Sequence, residues 1–181
     1  PAGEVYVAPV EIAQNTGEPE MRLATPVYLN NVLQGVVVIN ADWNLVWARL
    51  SDLVYGKTGY AYIINEEGVL ISHPKYTMKD NKNLSDASYG ELGAMVRDRM
   101  LRGEEGVGSY EFEGQRAYAA FMPRKLGANP YVVAARVPVS EFMEIADAIR
   151  AQIGKQVGTL VGMVVVAVLV LVVIGSIIAV V

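Results

Sequence analysis

The sequence has no cysteine and a single histidine, His73. Without thiols it can build no disulfide framework, no thiolate metal site and no thiol nucleophile. One imidazole cannot make a His-pair metal site or leave a spare base for a Ser-His-Asp triad. Clustered positive charge is missing as well. The 15 Lys and Arg residues stand against 19 Asp and Glu, for a net charge of −4, and no basic run occurs. Nucleic-acid binding leans on such runs, so no nucleic-acid partner is expected. No leader pattern precedes Pro1, and the chain reads as a processed or excised segment whose N-terminal portion lies elsewhere.

Apolar sequence is plentiful and unevenly placed. From Val157 to Val181 no charged residue occurs. A helix of about 25 apolar residues is long enough to cross a hydrocarbon core roughly 30 Å thick, so residues 156–181 are expected to form a transmembrane helix. Upstream, Val139-Ser140-Glu141 offers an N-cap hydroxyl and an acidic first turn. Phe142, Ile145, Ile149 and Ile153 follow at helical spacing, so a juxtamembrane helix over 139–155 is expected to run on into the membrane. Gly154 costs about 1 kcal/mol against Ala, too little to break it.

Between Gly59 and Pro138 short strand patterns alternate with turn signals, the habit of an antiparallel sheet. Tyr60 to Ile64 leads through Asn65-Glu66-Glu67-Gly68 into Val69 to Ser72, a hairpin closed by His73-Pro74. Leu92, Met95, Val96 and Met100 predict a helix capped at Gly103. Strands over Val107 to Phe112, Arg116 to Met122 and Tyr131 to Val137 complete a five-stranded sheet with a helix inserted after its second strand. The first 42 residues carry strand-like segments at Glu4 to Val10, Arg22 to Leu29 and Val36 to Ala41, like the last three strands of another copy. Leu45, Val46, Leu50 and Leu53 predict a connecting helix within 43–58, ended near Gly56. The fold class expected is α+β.

Five segments in this order, VYVAPVEI, RLATPVYLNNVLQGVVVIN, GYAYIINEEGVLISHP, EEGVGSYEFEGQRAYAAFMP and PYVVAARVPVSEFMEI running into a membrane helix, resemble the double Cache (dCache) sensor family. These are paired PAS-like extracytoplasmic modules of chemoreceptors and sensor histidine kinases. The resemblance implies the C-terminal half of a membrane-distal module at 1–42 and a membrane-proximal module at 59–138. It also implies residues 1–155 outside a bacterial inner membrane, a lipid-bilayer partner, and work as a homodimer. No cofactor and no metal are expected.

The candidate ligand-binding residues are Tyr6, Arg22, Asn40 and Asp42. Arg22 opens an apolar strand and Asn40 ends the buried-looking run Val36 to Ile39, so each needs a polar partner, from a ligand or from the backbone. Tyr6 offers an aromatic body with a hydroxyl. In the amino-acid-binding branch of the family an aspartate near the end of this strand grips the ligand amine. Here that place falls to Asn40, with Asp42 two residues on, so an ordinary α-amino acid is not the ligand expected. His73 matches the family's His-Pro and is read mainly as a strand-exit residue, with a secondary site as the alternative. Asp80, Asn83 and Asp86 crowd one loop but miss the spacing of a calcium loop. Glu66-Glu67 and Glu104-Glu105 read as solvated turn charges rather than an acid/base couple, and no catalytic residue is expected. Gly158 and Gly162 form a Gly-x-x-x-Gly suited to close helix pairing. The function expected is sensing of a small solute with relay through the membrane helix. The alternative is a membrane-anchored PAS-like interaction module with no small-molecule ligand.

Overall fold

A computed structural model describes the backbone of residues 4–112 and 114–180, and their side chains apart from Ile145, Val157, Val161, Gly162 and residues 164–180. Two compact units result, residues 1–139 and 140–181.

The first unit begins with a sheet of β1 (Tyr6–Val7), β2 (Glu11–Ile12), β3 (Pro19–Leu29) and β4 (Val32–Asp42). β1 and β2 lie in turn along one edge of β3 and β4 lies along the other, all antiparallel. The strand expected from Glu4 to Val10 is therefore split. Ala8 still donates to the Arg22 carbonyl at 2.8 Å, but Pro9 has no N–H with which to continue the ladder. β3 and β4 turn through Asn30 and Asn31, both at positive φ (48° and 63°), the conformation of a tight hairpin turn that asparagine tolerates.

α1 (Asn44–Ser51) follows, and of its expected apolar stripe only Leu50 is buried. A two-residue strand, β5 (Val54–Tyr55), then opens the second sheet, which continues with β6 (Gly59–Asn65) and β7 (Leu70–Ser72). After a loop comes α2 (Gly90–Met95), which runs into a π-helical turn over Val96–Met100. Strands β8 (Gly106–Phe112), β9 (Gln115–Leu126) and β10 (Asn129–Pro138) complete the sheet. Its order is β5-β6-β10-β9-β8, with β7 beside β5 on the same edge of β6, and every pairing is antiparallel. The sheet thus has six strands, the sixth being β5. Two residues are too few for an alternation pattern to show.

Why the second sheet reads as near-continuous apolar sequence is plain from its two faces. On β6, Tyr62 and Ile64 face α2 together with Leu92, Val96 and Met100. Ala61 and Ile63 face the other way, toward Val10, Met21 and Trp43 of the first sheet and α1. A strand buried on both faces has no need to alternate. The π-helical turn that follows α2 is stopped at Gly103 (φ 78°), whose N–H bonds the Met100 carbonyl at 3.1 Å while Glu104 N–H bonds the Arg99 carbonyl at 3.1 Å. This pair of bonds, in the left-handed conformation glycine adopts without penalty, is a Schellman stop.

Two tryptophans of the connecting segment join the sheets. Trp43 Nε1–H is shared between the Ile71 carbonyl and Ser72 Oγ, both at 3.0 Å, and its ring stacks on Tyr131 at 6.4 Å. Trp47 Nε1–H donates to the His73 carbonyl. Asn129 Nδ2–H reaches the Val7 carbonyl at 2.8 Å, and Lys79 pairs with Glu18 at 2.7 Å.

The second unit is one helix, α3 (Val139–Val180), which starts one residue before the expected Ser140 cap and passes Gly154 without a break. Among the described residues no helix is long and apolar enough to cross a membrane. Most of the expected span at 156–181 falls on residues whose side chains lie outside that description.

Candidate functional site

The register of β3 and β4 places Arg22 opposite Asn40 and Glu20 opposite Asp42. Because alternate residues share a face, Glu20, Arg22, Val38, Asn40 and Asp42 form one surface of the first sheet. An open groove of about 560 Å³ lies on this surface, lined by Arg22, Val38, Asn40 and Glu20 and closed at one side by Glu11, Ile12, Gln14 and Asn15.

Arg22 stands at its centre between two carboxylates. Its Nε donates to Glu20 Oε1 at 2.9 Å and its Nη2 to Glu11 Oε1. The hydrogen bond to Glu20, then the charge of Glu11, raise the Arg22 pKa above its ordinary value. The polar partner that Arg22 requires is thus supplied by protein carboxylates. Asn40 contributes its amide to the groove wall. The groove presents amides, one guanidinium and two carboxylates, a set suited to recognising a small polar solute through directional hydrogen bonds.

Two of the expected residues stand elsewhere. Asp42 Oδ1 accepts the Asn44 N–H at 2.9 Å, tying down the first turn of α1, and Asp42 does not line the groove. Tyr6, on β1, pairs with Ala24 of β3, is 64% exposed and does not line it either. The run Val36 to Ile39 is exposed rather than buried, each residue about half open, because among the described residues no element packs over β4. Glu11, Gln14, Asn15 and Glu20 are groove residues that strand patterning could not single out. The hint available was the Glu-x-Arg spacing of Glu20 and Arg22, which puts opposite charges on one face of a strand.

His73 is buried at the exit of β7, ring centroid 4.7 Å from Tyr60 and 4.9 Å from Tyr76. Its Nδ1 accepts the Lys75 N–H at 3.0 Å. Burial, then the nearby charges of Lys75 and Arg136, lower its pKa to about 4, so at neutral pH the ring is uncharged. In the following loop, Asp80 Oδ2 accepts from the Thr77 N–H at 2.7 Å, Asn83 Oδ1 from the Ser85 N–H at 2.8 Å and Asp86 Oδ1 from the Ser88 N–H at 2.8 Å. The three side chains each stabilise a local turn rather than converge. On α3, a side chain at Gly158 would meet open space, and Gly162 lies outside the described side chains.

An antiparallel sheet of β5-β6-β10-β9-β8 order with β7 also on β6, a helix inserted after β7, and the grooved first sheet joined to it define an α+β, PAS-like architecture. The sequence matches the Cache-domain family model dCache_1 over residues 1–146. The chain belongs to the Cache-domain family.

Among its relatives is the methyl-accepting chemotaxis protein PscA of Pseudomonas syringae pv. tomato, 32% identical over 76 residues, which are 42% of this chain and 12% of that one. Two solved structures share the fold. The extracellular domain of the histidine kinase mmHK1S-Z3 is 21% identical with a TM-score of 0.59, covering 80% of this chain and 53% of that one. The ligand-binding domain of the Pseudomonas fluorescens chemoreceptor CtaA in complex with L-isoleucine is 18% identical with a TM-score of 0.58, covering 80% and 56%. The chain therefore spans about half the length of the solved domains it matches and a small part of the curated relative.

Proposed function

We propose that this chain is the solute-sensing and relay segment of a bacterial transmembrane receptor, of chemotaxis or histidine-kinase type, and that its ligand binds in the groove beside Arg22 and Asn40. The observation that carries the reading is the groove itself, a polar cleft on a sheet whose fold is shared with ligand-binding domains. Arg22, fixed by Glu11 and Glu20, is held ready for a ligand oxygen, and the Asn40 amide can both donate and accept. A solute that binds one packing of the sheets better than the other shifts their balance by that difference in affinity. Transmission then runs along α3, paired with its copy in a homodimer and continued through the bilayer over 156–181. No catalytic role is assigned to these residues.

The CtaA domain holds an amino acid, so amino acids are the first solutes to test. An ammonium prefers an anionic partner. Asn40 supplies none, and both groove carboxylates are engaged with Arg22. We therefore expect the ligand not to be an ordinary α-amino acid. A thermal-shift screen of the intact extracytoplasmic region should show no stabilisation by the α-amino acids and saturable stabilisation by at least one other small polar solute. An effect of about 3 kcal/mol is expected at a hundredfold excess over Kd. Asn40→Leu should remove that stabilisation while leaving the unliganded midpoint near wild type. Saturable stabilisation by an α-amino acid would overturn the ligand assignment. A shift undiminished in Asn40→Leu would overturn the site.

A second reading, an anchored interaction module without a solute, is favoured by the apolar residues left open on β4, Val36 to Ile39. It predicts that no solute stabilises the region and that charged substitutions at Val37 and Ile39 abolish partner binding.

A further inference from the structure

Residues 7–11 lie between the groove and the second sheet and are bound to both. Toward the groove, Ala8 N–H donates to the Arg22 carbonyl at 2.8 Å, and Glu11 both lines the groove and accepts from Arg22 Nη2. Toward the second sheet, the Val7 carbonyl accepts from Asn129 Nδ2–H at 2.8 Å, and Val10 is buried in one cluster with Tyr131. Pro9 stands in the middle. Its ring fixes φ, so the segment has little freedom to absorb a displacement at either end.

The contact at Val7 is close. Gly127, in the turn between β9 and β10, has a φ of 62°, and a Cβ built on it would come within 2.6 Å of the Val7 Cβ. The turn thus sits against Val7 at a distance that only glycine allows. Asn129 is the first residue of β10, which pairs with β6 from Tyr131 to Arg136 and with β9 along its whole length. A strand of ten residues is about 30 Å long, and one held on both edges in a close-packed sheet transmits strain rather than absorbing it. β10 ends at Pro138 and α3 begins at Val139, with no residue between them. The Trp43 indole also joins the sheets, but its acceptors stand on β7, which leads into a loop.

We propose that residues 7–11 form a strap that carries the state of the groove to β10, with the Asn129 amide as its coupling point. A solute that takes Arg22 from Glu11 releases the groove end of the strap and changes its hold on Asn129, and through β10 the change reaches the first turn of α3. Asn129 is a positioning residue in this scheme and touches no solute. The proposal rests on the groove being the sensing site and adds the route by which its occupancy leaves the first sheet.

Glu11→Gln takes the charge from the ion pair with Arg22 and so perturbs the groove end of the strap without any solute. Because no solute takes part, the test bears on the strap alone, whereas a groove that stabilises with no solute in the thermal-shift screen would remove the sensing reading and leave the coupling in place. The full chain is held in detergent micelles and its hydrogen exchange followed by mass spectrometry. Glu11→Gln should quicken exchange about threefold, the scale of one exposed ion pair, in residues 6–12, 129–138 and 139–144, with β8 at the far edge of the sheet unchanged. Asn129→Asp keeps the side-chain shape and removes the donor. In that background Glu11→Gln should still quicken residues 6–12 but leave 129–144 as they were, which a merely structural Asn129 would not bring about. Asn129→Ala serves in the same way if the Asp variant does not fold. No change in 129–144 on Glu11→Gln, a change that spreads equally to β8, or a change of the same size with and without the Asn129 amide would overturn the proposal.

Discussion

His73 shows how much one residue's surroundings decide. The ring is enclosed by Tyr60, Tyr62 and Tyr76, with Lys75, Lys82 and Arg136 as the charged groups around it, and burial, then the charges of Lys75 and Arg136, bring its pKa down to about 4 from an ordinary 6.5. The fold thus holds the neutral ring, whereas the unfolded chain takes up a proton first as pH drops. Stability from His73 is complete above pH 6.5 and is lost as pH falls through the window toward 4. Between pH 7 and 5 the loss should be about 2 kcal/mol. Chemical denaturation at a series of pH values checks this. His73→Asn keeps an acceptor for the Lys75 amide but cannot protonate, so its stability should stay level across that window. A wild-type protein equally stable at pH 7 and 5, or a variant with the same slope, would refute the assignment. Arg22 is the opposite case at this scale. Its place on an otherwise apolar strand was visible in the sequence, but its partners Glu11 and Glu20 were not, because Glu11 reaches it only after the chain has turned back along β3.

At the level of elements, the clearest liability is the α1 junction. Trp43→Phe keeps most of the ring packed on Tyr131 and removes only the indole donor, leaving the Ile71 carbonyl and Ser72 hydroxyl short of a partner. The expected cost is about 1–3 kcal/mol, a fall of several degrees in the thermal midpoint. Calorimetry of the variant checks it, and an unchanged midpoint would mean that the indole bonds contribute nothing to joining the sheets. This junction also marks the limit of what the sequence disclosed. The strands of the second sheet and the Leu92 to Met100 helix could be read because their apolar spacing and turn residues are local properties. The hairpin at Asn65 to Gly68 was legible for the same reason, with Asn65 Oδ1 accepting from the Glu67 and Val69 amides. β5 was not, being only two residues long. The stripe Leu45, Val46, Leu50 and Leu53 was read as a connecting helix; the first three lie on α1 while Leu53 lies past its end, and the tertiary contacts of this segment are made by Trp43, Trp47 and Leu50. Of the groove residues, Arg22 and Asn40 were legible as polar positions in apolar strands, whereas Tyr6 stands on the two-residue β1 and Asp42 is engaged at the start of α1, and neither lines the groove.

For the whole molecule, the proposal is that solute occupancy in the first unit and output beyond the membrane are connected through α3. That helix is continuous past Gly154 in the structure, and relay through a rod needs only an ångström or two of sliding or rotation, provided no flexible segment absorbs it. The decisive measurement is made on the intact receptor in membranes, with four glycines inserted after Gln152 and with ligand binding and output recorded on the same preparation. The account predicts wild-type affinity for the stabilising solute and an output that no longer responds to it. An insertion variant that still responds with wild-type amplitude would contradict it.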